Sequence, residues 1–249
     1  MSGHSKWSSI KHKKGAADAK RGKIFTKLVK EIIVAAKEGG GDEEMNPRLR
    51  LAISTAKGAN MPNSNIERAV KRGTGELEGV HYEHFTYEGY GHNGVAIIVE
   101  TLTDNKQRTV ADVRHIFSKY GGNLAENGSV SYMFDQKGLI VIPTNELDED
   151  EVMMASLDAG AEDFVAEDDN YQIYTAYADL HSVLKKLEEA GYNIEKAELT
   201  RIPQNTVNAD EVAEKLLKLI DFLEDCDDVQ KVYANFEISD EVFERLSEV

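Results

Sequence analysis

The stretch Asp163–Ala176, DFVAEDDNYQIYTA, reads as two short strands, Asp163–Ala166 and Tyr171–Ala176, joined by a turn at Asp168-Asp169-Asn170. Working outward, a helical pattern stands on each side, Glu146–Asp158 before and Asp179–Ala190 after, and beyond each helix comes another strand, Leu139–Ile142 and Ile194–Ile202. The order βαββαβ is the ferredoxin-like arrangement. This series interrupts another one. Strands at Phe85–Tyr90 and Val95–Leu102, a helix at Lys106–Tyr120 and a strand at Val130–Phe134 precede it; a helix at Asn208–Cys226 and a strand at Val229–Ile238 follow it. The trailing pair most simply returns to complete the earlier sheet.

Ahead of both lies a helical region. From Ala16 to Lys37, Ile24, Phe25, Leu28, Val29, Ile32, Ile33 and Ala36 recur at spacings of three and four, which collects them on one helix face. Lys20, Lys23, Lys27, Lys30 and Lys37 fall on the opposite side, so the helix is expected to have a core face and a cationic solvent face. Gly39-Gly40-Gly41 ends it. Asn46-Pro47 reads as a cap and first-turn proline opening a second helix through Lys57, and Ser64 with Glu67 forms a capping-box pattern for a third that stops at Gly73. The expected fold is therefore α+β and multidomain. It comprises an N-terminal three-helix bundle (1–79), a discontinuous α/β domain (80–134 and 204–249) and a ferredoxin-like α/β domain (135–203) inserted in it.

Charge is unevenly divided along the 249 residues, whose formal net charge is −16. Through Arg72 there are sixteen Lys and Arg against seven Asp and Glu, a local net charge of +9 that leaves −25 for the remainder. Salt screens exposed charges over about 8 Å at physiological ionic strength, so an anionic ligand on the basic module would hardly feel distant acidic domains. Such asymmetry points to nucleic acid or another acidic partner. Trp7 and His12 lie among the lysines, and aromatic rings stack on unpaired bases while Lys and Arg neutralise phosphates. The Lys11–Lys14 run, broken from the first helix by Gly15, is expected to order only on its partner.

Other motifs carry less. Gly89-Tyr90-Gly91-His92-Asn93-Gly94 matches G-x-G-x-x-G, but the Val95–Val99 run after it reads as a strand where a dinucleotide site requires a helix. His81-x-x-His84 lacks the further ligands of a tetrahedral zinc set. The acidic run Leu147–Glu151 lacks calcium-loop spacing and suits a first helical turn. No Ser-His-Asp or Cys-His spacing is present, no motif asks for a cofactor or metal, and the single Cys226 can form no internal disulfide. With no apolar run of membrane-spanning length and no signal-peptide core after the basic start, the expected location is the cytoplasm, with no membrane partner.

Gly3-His4-Ser5-Lys6-Trp7, Lys20-Arg21-Gly22-Lys23-Ile24-Phe25, Gly39-Gly40-Gly41-Asp42, Asn46-Pro47-Arg48-Leu49-Arg50, Tyr87-Glu88-Gly89-Tyr90-Gly91 and Gly121-Gly122-Asn123-Leu124 occur in order and together resemble the YebC family, to which the mitochondrial translational activator of cytochrome oxidase is related. The resemblance spans essentially the whole chain. It implies three domains and a cytoplasmic, non-enzymatic regulator of gene expression, with bacterial members usually assigned as DNA-binding transcriptional regulators and other relatives acting in translation at the ribosome.

Two binding readings follow, with a catalytic site between the α/β domains as a remote third. In the leading one, Lys6, Lys11, Lys13, Lys14, Lys20, Arg21, Lys23, Lys27 and Lys30 dock on DNA phosphates, Trp7 and His12 lie among them, and Arg48, Arg50, Arg68, Lys71 and Arg72 widen the contact. The alternative is a ribosome-associated factor on ribosomal or transfer RNA. Under either, the acidic α/β domains are free to meet a protein partner.

Overall fold

The computed structural model describes residues 17–145, 147–167 and 169–247, with side chains described from Gly22 to Leu246 within those ranges. Three helices open it: α1 (Ala17–Gly39), α2 (Pro47–Gly58) and α3 (Asn63–Gly73). Gly40, with φ of +85°, takes the left-handed turn that ends α1. Asn46 then joins two helix ends at once. Its amide donates to Ala35 O and Gly40 O at 2.8 Å each, and its carbonyl accepts from Leu49 N at 3.1 Å, capping α2. Ile32, Ala36, Leu49, Ile53, Ala56, Ile66 and Ala69 form the bundle core. A Cβ on Gly73 would lie 2.5 Å from Ile33 O, so only glycine lets the end of α3 approach α1 this closely.

The remaining elements, in chain order, are β1 (Glu83–Tyr90), β2 (Ala96–Thr103), α4 (Lys106–Lys119), β3 (Asn123–Leu124), β4 (Phe134–Pro143), α5 (Glu149–Ala159), β5 (Asp163–Ala166), β6 (Asn170–Ala176), α6 (Leu180–Glu189), β7 (Lys196–Pro203), β8 (Val207–Asn208), α7 (Ala213–Glu224), β9 (Val229–Ala234), β10 (Phe236–Glu237) and α8 (Asp240–Ser247). The first sheet runs β3-β1-β2-β9, all antiparallel, with β9 arriving beside β2 only after the second sheet has been completed. Its core faces α4 and α7 through Val99, Val113, Phe117, Leu216 and Ile220. The second sheet runs β5-β6-β4-β7, again antiparallel, the strand order of a ferredoxin-like βαββαβ unit. Helices α5 and α6 cover it over Ile140, Ile142, Ile173, Val183 and Leu187. Asp148 caps α5 by accepting from Glu151 N at 3.1 Å, the helix-start role its acidic run suits.

Five details depart from the sequence reading, the first being that the strand expected over Val229–Ile238 is split into β9, in the first sheet, and β10, which pairs in parallel with β8. Residues 131–133 form a single tight turn instead of a strand, and only Phe134 enters β4. The cause is the buried Glu88 carboxylate, which accepts from the N–H groups of Gly128, Val130 and Ser131 at 2.7–2.9 Å and so takes donors a strand would need. Helix α7 starts at Ala213, after a turn over Asp210–Val212. A further helix, α8, follows β10. The capping box at Ser64 does not form: α3 begins at Asn63, behind the extended Pro62, with no side-chain cap.

Candidate nucleic-acid interface

The lysines of α1 divide sharply. Lys6, Trp7, Lys11, His12, Lys13 and Lys14 lie outside the described residues, and Lys20 and Arg21 lie in α1 with their side chains outside the description. Lys23, Lys27 and Lys30 recur at i, i+4 and i+7 and all reach the carboxyl end of α7. Lys23 Nζ donates to Asp225 O at 3.1 Å, Lys27 Nζ to Glu224 O at 2.6 Å, and Lys30 Nζ to Asp227 O at 2.9 Å and Asp228 Oδ1 at 2.7 Å. The last carbonyls of a helix lack internal partners and carry its partial negative charge, so a row of ammonium groups is well placed there. Lys30 is only 6% exposed. The expected solvent-facing position is therefore corrected for Lys30, which is buried, and for Lys27, which is half-buried. Helical periodicity assigns a residue to a face but says nothing about which other body covers that face.

Asp228 is the centre of this junction. Its second oxygen accepts from Arg108 at 2.7 Å, Thr109 at 2.8 Å and Thr103 at 3.2 Å. Burial opposes its charge, but the hydrogen bonds from Lys30, Arg108 and Thr109 prevail and hold its pKa at about 2.

Of the other cations, Lys37 lies 2.6 Å from His81 Nε2. Arg48 is committed to Glu31, at 2.9 Å, to Glu38 and to His84, at 2.5 Å. Burial and then the Arg48 charge depress the His84 pKa. Both histidines of the His-x-x-His pattern thus stand against cations, and among the described residues no group of three His, Cys, Asp or Glu side chains is placed to hold a metal. Arg50 donates to Glu43 O at 3.0 Å and Glu44 O at 2.8 Å. Arg68, Lys71 and Arg72 are exposed on α3; Arg68 donates to Asn65 at 3.0 Å, and neither Lys71 nor Arg72 has a side-chain hydrogen bond or ion pair among the described residues. Lys57, in the last turn of α2, is exposed as well, so the uncommitted positive surface described for the helical module lies on the second half of α3 and the end of α2.

A second basic element escaped the sequence reading. Helix α4 carries Lys106, Arg108, Arg114 and Lys119 against the single acid Asp112, within a region that is strongly acidic on average. Beside its end, Tyr120 and Phe222 stack at 4.2 Å with Lys119 over both rings. Charge counted helix by helix would have found α4; charge counted by region averaged it away. Of the glycine-rich stretch, Gly89 and Tyr90 end β1, and residues 91–94 form the connection to antiparallel β2 and open no long helix. No described helix is long and apolar enough to cross a membrane.

Residues 5–76 match the family model described as the TACO1/YebC protein N-terminal domain, and residues 82–236 match TACO1/YebC second and third domain. A protein of Acidithiobacillus ferrooxidans named "Probable transcriptional regulatory protein" is 63% identical, over 99% of this chain and 98% of its own length. One of the same name from Persephonella marina is 59% identical over 99% and 100%. The crystal structure of conserved hypothetical protein Aq1575 from Aquifex aeolicus is similar at a TM-score of 0.83 and 50% identity, covering 90% of this chain and 93% of that one.

Proposed function

The chain belongs to the TACO1/YebC family, and from that premise we propose that it is a non-enzymatic, cytoplasmic regulator of gene expression that grips nucleic-acid phosphates through its helical module. The observation that carries this reading is the exposed trio Arg68, Lys71 and Arg72 on α3, continuous in sequence with a basic module and left largely uncommitted while Lys23, Lys27 and Lys30 hold that module to the acidic body. The relatives' names favour DNA as the ligand. Binding to duplex fragments should then weaken linearly in log–log form as salt rises, with a slope of about −0.9 per phosphate neutralised. A salt-independent response to every nucleic acid tested removes the proposal.

One feature fits folded RNA equally, as a second reading. A recognition helix presents base-reading side chains at its amino end, whereas here the cations gather in the last two turns of α3 and Asn65 is already engaged by Arg68. Backbone contacts of that kind suit ribosomal RNA as well as DNA. Cosedimentation of the full chain with ribosomes, set against binding to genomic DNA fragments at the same salt, decides between them. The acidic α/β bodies are left to meet protein.

A further inference from the structure

Strand β3 pairs with β1 only at Gly89 and Tyr90. One more bond follows, from Ala125 N to Glu88 O at 2.8 Å, and then the chain is drawn away because Glu88 captures the next N–H groups. Among the described residues, no strand therefore pairs with the edge of β1 from Glu83 to Tyr87, a length of about 17 Å at the usual rise of a strand. Its hydrogen-bonding direction is fixed by alternation. Glu88 O points to the β3 side, whereas Phe85 O points to β2, where it accepts from the Thr101 side-chain hydroxyl at 2.9 Å. His84 and Thr86, in phase with Glu88, direct their main-chain N–H and C=O groups to the open edge.

A cleft of about 530 Å³ runs along this edge. One wall is the backbone of β1; the other is a single row of α4, Lys106, Val110 and Arg114, spaced i, i+4 and i+8. Lys106 lies over the Phe85 ring at 4.7 Å. Neither Lys106 nor Arg114 has an ion-pair partner among the described residues, although the chain as a whole is strongly acidic. The lining acids are Glu88, satisfied by three backbone N–H groups, and Glu126 at the end closed by the loop. Tyr87 also lines the cleft, and its buried phenol oxygen has no hydrogen-bond partner among the described residues. Burial and then Asp228 raise the phenol's pKa.

An open strand edge facing a helix is the geometry used to bind extended peptides by strand addition, where main-chain bonds supply affinity and the helix side chains select the sequence. We propose that the β1–α4 cleft is a docking site for an extended acidic segment of a partner protein, added as a strand to His84–Thr86 with its carboxylates opposite Lys106 and Arg114. A basic segment is repelled by the same wall, and the site is independent of the cations on α3.

The test uses the full chain and a blocked, fluorescent octapeptide alternating valine and glutamate. Anisotropy should report binding, and hydrogen exchange of the His84 and Thr86 amides should slow in the complex. An octapeptide alternating valine and lysine should not bind, and methylation of alternate peptide nitrogens should abolish binding. K106E/R114E should weaken the valine–glutamate peptide by about tenfold or more. T86P, which removes an edge-facing N–H and is tolerated at a strand edge, should weaken it as strongly, both variants keeping the unfolding midpoint of the unmodified chain within a few degrees. If either variant fails to fold, amide exchange in the unmodified chain together with the methylated peptide still decides the matter. Failure of the valine–glutamate peptide to bind overturns the proposal, as does equal binding of the lysine or methylated peptide or unchanged exchange at His84 and Thr86. Displacement of the peptide by an oligouridylate that itself slows exchange along α4 also overturns it, by giving the surface to nucleic acid.

Discussion

Removing the charge of Asp228 isolates what the buried junction contributes. Asp228→Asn leaves Lys30, 6% exposed, without its counter-charge, and breaking a buried pair in this way costs about 3–5 kcal/mol. Urea unfolding at neutral pH should register that loss. The pH dependence has a defined sign. The carboxyl titrates near 3.8 when unfolded and at about 2 when folded, so its stabilisation is complete above the unfolded value and disappears as the pH falls through the folded one. That difference corresponds to about 2 kcal/mol, and the gap between unmodified chain and variant should narrow by about that much between pH 5 and pH 2. A pH-independent gap would assign the cost of the substitution to packing instead. None of this was legible locally. Lys30 reads as one lysine of a solvent stripe because its partner lies 198 positions away, and helical spacing carries no information about docking.

At the scale of elements, α3 and the 128–131 turn held by Glu88 each yield a test. If Arg68, Lys71 and Arg72 each neutralise one phosphate, replacing all three with Gln should flatten the salt slope on duplex DNA by about 3, uniformly across sequences, while Lys30→Met should leave it unchanged. Loss of binding to one sequence only would instead indicate base reading by α3. Glu88→Ala strands three N–H donors in the 128–131 turn, at about 1–3 kcal/mol for each group left unsatisfied, and should accelerate amide exchange there before the rest of the sheet opens. The elements that carry their own periodicity were readable: Asp163–Ala166 matches β5 residue for residue, and the Asn46-Pro47 start of α2 is formed as its chemistry dictates. The two-residue strands β3, β8 and β10 have too few positions to show alternation, and they exist only because a neighbour supplies bonds. Helix α4 was legible as a helix but not as a basic surface, since its charge is set against acids spread over the rest of the chain.

The whole molecule is assembled by charges that cross from one body to another. Besides the α1–α7 junction, Arg201 on β7 meets Glu100 on β2 at 2.8 Å, and Lys231 on β9 meets Glu198 on β7 at 2.8 Å and Leu199 O at 2.7 Å. Burial opposes the Glu198 charge, yet Lys231 and Lys196 hold its pKa at about 2. These pairs lie beside the apolar contact of Ala96, Ile98, Val130, Phe134 and Tyr233, where the chain leaves the first sheet for the second. The angle between the two sheets is thus set either by the ion pairs or by that apolar seam, and the two causes respond differently to substitution. Lys231→Met with Arg201→Met removes both charged crossings while keeping most of the side-chain stems, and Glu198 retains Lys196 at 2.6 Å. Control by the ion pairs predicts that small-angle scattering from this double variant shows a larger radius of gyration and a broader distance distribution, with the secondary structure unchanged. The unmodified chain should move in the same direction in about 1 M salt, where screening shortens to about 3 Å and these partly exposed pairs weaken. An unchanged profile in both experiments transfers control of the angle to Phe134 and Tyr233, and Phe134→Ala then becomes the substitution that releases it.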